Sequence, residues 1–565
     1  MRKRKIWIYM ILVGLVFFIT PRLIAGDGIE SSPPPGEMKK KILQFMKEGK
    51  IPGLSLVMVK GNEKPIIQGY GSSDLEKKSA VTSRTLFELA SCSKAFTALA
   101  VLQLAENGSI RLDDPVSKYF PWFYATHKHK KYKITIRQLL HHTSGIPWRS
   151  ISRIPEGNQK DALQQTLRNI AGIKLNNIPG KHYTYATVNY DIAGAIIEKV
   201  SGRNFEEYMR DNVFLPLDLT RTTVGMEENN PHQAAGYKIG FFSPRRYVSP
   251  AFRGNNPAAY IVSNGEDMAK WLQLQMGIID SEFKPLIQKT HVPDQSVLPF
   301  NLKSYGMGWV INQYRRSAIV HSGANPNFTA FIGFYPEEKI GVAIMANSNS
   351  TYTTSIGNYI LRSSAGESDV EISPPTNKID TICSIFSFVL GLYILVIIGV
   401  IIYKLIDFFR GKKKLAPLTW KKIGKIFAAV LFSIPYLYGI YLIPRAATNL
   451  SWDAALVWAP TSFYIAVLLL VLAIGVNYVL YFISLIFPSR NKYTHELPTI
   501  IIIGILAGMA NTAVLLLVTT SFFSSVGLFY LLYYFGMAYS LNIFGRKIVQ
   551  TKMINISNGV TLDLR

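Results

Sequence analysis

The stretch Phe87-Glu88-Leu89-Ala90-Ser91-Cys92-Ser93-Lys94-Ala95-Phe96 decides how the rest of this chain is read. From Ala95 to Leu104 the apolar residues recur at helical spacing, and Asn107-Gly108 ends the run. Ser91 and Lys94 therefore fall at a helix start, three residues apart and on one face. A serine hydroxyl is a poor nucleophile at neutral pH and needs a base within hydrogen-bond reach. Lysine can be that base once partial burial and nearby dipoles lower its pKa. The positive end of the helix also favours developing negative charge. The spacing S-x-x-K is weak by itself, since it recurs at Ser281/Lys284 and Ser489/Lys492. What sets the first occurrence apart is a strand-like entry before the helix.

Outward from this stretch, Leu54 to Val59 and Ile66 to Tyr70 read as strands joined by a turn at Gly61-Asn62. Thr329 to Tyr335 and Ile340 to Ala346 read as a hairpin around Pro336-Glu337-Glu338-Lys339. Strands first, helices in the middle and strands last predict an α+β domain, one sheet flanked by helices. Residues 364–381 are polar and proline-containing, a linker that closes a domain spanning 28–363.

The bulk composition points to a membrane. Of 565 residues, 48% are apolar and 17% charged, and the apolar excess lies in the last third. Five apolar spans are expected, at 382–403, 426–443, 462–487, 500–518 and 526–544, each near the ~20 residues that cross a bilayer. Lys and Arg cluster in alternate connections (410–425, 490–492 and the 546–565 tail), which predicts these to be cytoplasmic and residues 28–379 to be outside. Arg2 to Lys5 followed by the apolar run Ile6 to Ile19 reads as an export signal or anchor within 1–27. The net charge of +25 is therefore topological, and nucleic acid is not an expected partner. Cys92 and Cys383 offer neither a disulfide framework nor a metal cluster, so no metal or cofactor is expected.

Further motifs follow in order: Leu139-Leu140-His141-His142-Thr143-Ser144-Gly145, Pro179-Gly180 leading to Tyr185, Tyr305-Gly306-Met307-Gly308-Trp309, and His321-Ser322-Gly323. With Ser91-x-x-Lys94 they resemble the penicillin-binding protein and class C β-lactamase superfamily of serine hydrolases, over about Ile51 to Asn347. The resemblance implies an antiparallel sheet backed by helices with an all-helical subdomain, here followed by a helical transmembrane bundle. It also implies Ser91 as the acylated nucleophile, Lys94 as its base and Tyr185 as the phenol that passes a proton to the leaving group. His321, Ser322 and Gly323 would pair with substrate backbone, and the N–H groups of Ser91 and Ala324 would form the oxyanion hole. His141 and His142 are structural in that family.

Two departures bear on the substrate. The family's Tyr-x-Asn reads Tyr185-Ala186-Thr187, and His321 stands where lysine often binds a carboxylate. A short polar residue after the tyrosine, an exported domain and C-terminal spans resemble the membrane-bound peptidases that remove an N-acyl-D-asparagine leader from nonribosomal peptide prodrugs. Asn327 beside Thr187 would then meet the D-asparagine amide of a small acyl-peptide substrate. The alternatives are a cell-envelope D,D-carboxypeptidase, D-aminopeptidase or esterase, and a non-catalytic sensor or transport-associated module.

Overall fold

Strands that are apolar on both faces need a helical layer on each side, and this chain supplies both. The computed structural model describes residues 36–487, apart from 228–229, 313–316, 368–377, 413–414 and 449. Helix α1 (Gly36–Gly49) leads into strands β1 (Gly53–Lys60), β2 (Ile66–Asp74) and β3 (Ser79–Ala80), then helix α2 (Ser93–Glu106). The middle of the chain holds α3 (Ile136–Leu140), α4 (Ala162–Ile170), α5 (Val188–Ser201), the hairpin β4 (Tyr237–Gly240) and β5 (Ser243–Arg246), and α6 (Gly265–Gln275). Strands β6 (Lys303–Tyr305), β7 (Val310–Asn312), β8 (Ala318–Ala324), β9 (Thr329–Tyr335) and β10 (Ile340–Ala346) follow, then α7 (Tyr352–Ser364).

The main sheet runs β6-β7-β8-β9-β10-β1-β2-β3, antiparallel throughout. Period-two alternation sorts its side chains between two cores. Leu54, Leu56, Phe331, Val342 and Ile344 join Ile42 and Phe45 of α1 and Ile356 of α7. Val57, Val59, Ile332, Phe334 and Met345 join Phe96 of α2, Trp271 of α6 and the middle helices. The α+β fold with its sheet between helices is as the sequence predicts. In the helical part, Thr135 and Gln138 form a reciprocal capping box that starts α3. Gly202, at φ +68°, ends α5.

Four more helices are described: α8 (Lys378–Phe409), α9 (Trp420–Thr448), α10 (Trp452–Trp458) and α11 (Thr461–Ile486). Two stretches, Ile379–Phe409 and Thr461–Ile486, contain 18-residue windows of mean hydropathy 3.0 and 2.5 and are long and apolar enough to cross a membrane. Helix α9 covers the second expected span, whereas the spans expected at 500–518 and 526–544 and the segment 1–27 lie outside the described residues. The chain divides into two compact units, Met1–Leu395 with Asp453–Ile474, and Val396–Trp452 with Gly475–Arg565. Within the second, Lys404 Nζ donates to Ser484 Oγ at 2.7 Å.

One boundary differs from expectation. Helix α8 begins at Lys378, inside the stretch read as linker. The reason is Asp380, which is buried in the first turn, where its carboxylate accepts from Ser462 Oγ at 2.6 Å and from two backbone N–H groups of the β4–β5 turn. A charge that looks like linker polarity in sequence is a tie point in three dimensions.

The seam between α7 and the sheet is tight enough to test. A Cβ on Gly357 would lie 2.1 Å from Phe331 Cδ1, and forcing extra methyl groups into such a seam costs roughly 1–3 kcal/mol. Gly357→Val is expected to lower the thermal midpoint of the purified chain by several degrees, measured by scanning calorimetry. An unchanged midpoint would show that this seam is loose.

Candidate active site

The turn that carries Ser91 is built by a close approach of two chains. Leu89 N–H donates to Ile261 O at 2.8 Å, and Cys92 Sγ donates to His321 O at 3.3 Å. On the facing strand β8, a Cβ at Gly323 would sit 2.3 Å from Leu89 O and 2.9 Å from Ser91 N. Only glycine lets β8 run this close. Ala90, just before Ser91, holds φ +47°, a left-handed conformation that L-residues adopt at a cost. Ser91 itself lies in a short 3₁₀ turn, Ala90–Cys92, that feeds α2.

Lys94, in the first turn of α2, is fully buried. Its Nζ reaches Ser91 Oγ at 3.0 Å, Thr187 Oγ1 at 3.3 Å and Ala258 O at 2.8 Å. Burial pulls its pKa down to about 7, against the opposing pull of the Asp191 carboxyl. A neutral amine has two hydrogens and one lone pair. In the resting site all three oxygens accept from Nζ, and once the amine is neutral its lone pair can turn to the Ser91 hydroxyl proton. Tyr185 Oη donates to Ser91 Oγ at 2.9 Å. Burial raises the phenol far above its ordinary value, so it stays protonated at rest.

A ring of aromatic and imidazole groups fixes Tyr185. The His142 carbonyl accepts from Thr184 N–H at 2.8 Å, and its Nδ1 faces Ala186 N–H at 3.3 Å and Asn189 Nδ2 at 2.9 Å. Its ring packs 4.3 Å from that of Tyr185. His141 turns elsewhere, with Nδ1 3.0 Å from Tyr305 O. At the mouth, half-exposed Trp148 lies 6.0 Å from the Tyr185 ring, and Tyr183 stacks on Phe300 at 4.0 Å.

The edge of β8 is open where it passes Ser91. Strand β7 pairs with β8 only as far as Val320, while β9 continues along the other side to Ala324. Ser322 and Ala324 are exposed and Gly323 is buried beneath them. His321 is buried, with Nδ1 2.8 Å from Ser322 O and Nε2 3.0 Å from Tyr305 Oη. The carbonyl can only accept, so the proton sits on Nδ1 and Tyr305 donates to Nε2. Burial and the nearby Lys94 push the imidazole down to about 3. It is neutral, and both nitrogens are taken.

The structure thus brings Ser91, Lys94, Tyr185 and Thr187 together, with Ser322, Gly323 and Ala324 on the facing edge. It does not bring Asn327 to Thr187. The Asn327 amide donates to Tyr247 O at 3.2 Å and packs where a Cβ on Gly236 would lie 2.2 Å from Nδ2. Thr187 meanwhile is held by Lys94. Other contributors escaped the sequence reading. The Ala258 carbonyl carries no side-chain signal at all. Asp191 did carry one, a lone acid in the apolar run Val188–Ile197. It is fully buried, its pKa is raised by burial, and the Asn255 amide donates to both its oxygens at 3.1 Å.

Comparison with known proteins agrees with this fold. Residues 38–366 match the protein family described as Beta-lactamase. Protein flp of Staphylococcus aureus (strain N315) is 30% identical over 451 residues, covering 78% of this chain and 88% of that protein. That alignment is longer than the 38–366 stretch, so the likeness runs on into the apolar C-terminal part. A protein named Beta-lactamase from Escherichia coli (strain K12) is 29% identical over 348 residues, or 55% of this chain and 88% of that one. Among solved structures, the octameric penicillin-binding protein homologue from Pyrococcus abyssi superimposes with a TM-score of 0.53 at 28% identity. It covers 62% of this chain and 81% of that one.

Lys94 rests on a second glycine. Gly308, at φ +86°, leaves room for α2 where a Cβ would lie 2.5 Å from Ala95 Cα and 2.8 Å from the Lys94 carbonyl carbon. Gly308→Ala is expected to cost roughly 2 kcal/mol or more of stability. It should also lower turnover more than substrate affinity, because it shifts the backbone under Lys94. Denaturant melts together with steady-state kinetics check this, and wild-type kcat would show that the backbone absorbs the methyl group without moving Lys94.

Proposed function

This chain belongs to the Beta-lactamase family of serine hydrolases, and on that footing we propose that it hydrolyses esters or amides through an acyl-enzyme on Ser91, at the outer face of a membrane. The observation that carries the reading is the unbroken chain Lys94 Nζ–Ser91 Oγ–Tyr185 Oη, with links of 3.0 and 2.9 Å. Neutral Lys94 accepts the Ser91 proton as Oγ attacks the carbonyl carbon. The resulting oxyanion is met by the N–H groups of Ser91 and Ala324, on chains that Gly323 lets pass at close range. Tyr185 gives its proton to the leaving group and regains one from Lys94 as the acyl-enzyme forms. Water then enters by the reverse path, delivering the acyl group as a free acid.

Two features favour an uncharged acyl partner. Neutral His321 has both ring nitrogens occupied, which leaves a terminal carboxylate without the cation it would need there. Trp148 offers an exposed apolar wall beside Tyr185. A D-asparagine leader would need a carboxamide pocket, whereas Thr187 Oγ1 is bound to Lys94 and Asn327 Nδ2 to Tyr247 O. The reading is therefore a cell-envelope ester or amide hydrolase. The complete Lys94–Ser91–Tyr185 chain weighs against a sensor that has lost chemistry.

Ser91→Ala is expected to abolish turnover and labelling by a fluorophosphonate without changing the melting temperature. Since Lys94 must be neutral, kcat/KM should be full above about pH 7 and fall as pH drops through that value. Among p-nitrophenyl acyl esters, acyl-D-asparaginyl peptides and acyl-D-Ala-D-Ala, the uncharged esters should react best. A clear preference for acyl-D-Ala-D-Ala would sink the substrate assignment, and residual turnover by Ser91→Ala would sink the mechanism.

A further inference from the structure

Strands β4 and β5 meet in a two-residue turn, with Gly240 paired to Ser243 across Phe241 and Phe242. Such turns need positive φ at both central residues and are normally given to Asn-Gly, where the missing Cβ removes the strain. Here two phenylalanines take it, at φ +53° and +61°. Something must offset that cost, and something must use the two rings. The offset is visible. The N–H groups of Phe241 and Phe242 both donate to the Asp380 carboxylate, at 3.0 Å each.

That bond also fixes where the turn sits. Asp380 is the second residue of the apolar stretch Ile379–Phe409, and Thr461 opens the stretch Thr461–Ile486. Ser462 Oγ binds the same carboxylate at 2.6 Å. A Cβ on Gly240 would lie 2.6 Å from Thr461 Cβ. Farther down the hairpin, Lys238 Nζ donates to Leu456 O at 3.2 Å. All of these residues belong to one compact unit. If α8 and α11 cross a membrane, their first turns lie at its surface, and the hairpin tip bound to them lies there too. Its composition suits that layer: Phe242 is half-exposed, and exposed Arg245 stands behind it. Aromatic rings favour the headgroup region, and arginine favours lipid phosphates.

We propose that the β4–β5 tip, Phe241 and Phe242 with Arg245 behind them, seats in the interfacial layer of the bilayer into which α8 and α11 run. The proposal rests on reading those two helices as membrane spans and not on the hydrolase chemistry. It gives the hairpin a second role at its other end. Tyr237 N–H donates to Asn327 O at 3.3 Å, and Asn327 Nδ2 donates to Tyr247 O at 3.2 Å. Asn327 lies three residues beyond Ala324 on the chain that borders the site. The hairpin thus sets the Ser91 site at a defined height above lipid, within reach of acyl substrates carried in the membrane.

The test uses the full-length chain in vesicles of phosphatidylcholine and phosphatidylglycerol. Phe242→Cys is labelled with the environment-sensitive fluorophore NBD, the native Cys92 and Cys383 being buried. Asn107→Cys, on an exposed position after α2, serves as the aqueous reference. The expected result is blue-shifted emission at position 242, quenching by lipids spin-labelled near the headgroup, and at least several-fold less quenching by iodide than at position 107. Equal iodide quenching at the two positions overturns the proposal. So does protection without lipid quenching that grows with protein density, which would mark a contact with a second copy. Should Phe242→Cys fail to fold, Ser243→Cys reads the same layer. Hydrolysis of a short soluble ester by the same samples reports on the Ser91 chemistry separately, so failure of one reading is not mistaken for failure of the other.

Discussion

Everything in the site follows from placing a lysine ammonium where water cannot reach it. Removing such a charge from water costs on the order of several kcal/mol unless polar partners replace the solvent. At Lys94 the replacements are three oxygens, from Ser91, Thr187 and Ala258, and they come from three distant parts of the chain. Two of those partners are hydroxyls that can give a proton as well as accept one, so the set serves a neutral amine as well as a cation. Burial and reactivity are thus one fact: the environment that disfavours the ammonium makes a base. The fully buried Asp191 keeps this in balance. Its negative field pulls the lysine back toward the protonated state, while its own burial favours the neutral acid. The Asn255 amide holds the carboxyl in place.

Holding three segments around one amine demands close backbone approaches, which is where the glycines sit. Gly323 brings the open edge of β8 against the Ser91 turn, and Gly308 lets α2 lie on the loop after β6. Ala90 and His142, at φ +47° and +56°, carry the remaining strain without the freedom of glycine. His142 offsets its own cost by gripping the Tyr185 segment on both sides, through its carbonyl to Thr184 and its ring to Ala186. Strain of this kind persists only where many contacts over-determine it. The dense hydrogen bonding around Tyr185 meets that condition.

How much of this the sequence disclosed depends on which chemical group does the work. Strands such as β9 and β10 were legible because two short, continuously apolar runs separated by a Pro-Glu-Glu-Lys turn have few other readings. The pairing of β1 with β10, across nearly 300 residues, leaves no local trace. Ser91, Lys94 and Tyr185 could be singled out in the sequence because the chemistry proposed for them lies in their side chains. The Ala258 carbonyl was invisible because every residue has one. Asn327 was misread because its direction is set by Gly236 and Tyr247, some eighty residues earlier. Asp380 was misread because a buried hydrogen-bonded carboxylate and a solvated linker carboxylate are the same letter.

The neutral histidine on β8 and the hairpin bound to the first turns of α8 and α11 bear on one question from opposite sides. A site that anchors its substrate through a cation must desolvate a charge and hold it in register. Here Tyr305 and the Ser322 carbonyl consume both nitrogens of His321, so that anchor is absent. Orientation must then come from the open β8 edge and from apolar contact with Trp148, both weaker per contact than a charge-assisted bond. With the hairpin seated at the bilayer as proposed, confinement offsets that weakness. A substrate held in the same surface layer as the enzyme meets it at a raised effective concentration, so modest contacts suffice. On the proposed reading, loose chemical recognition and a fixed height above the bilayer are complementary properties of one design.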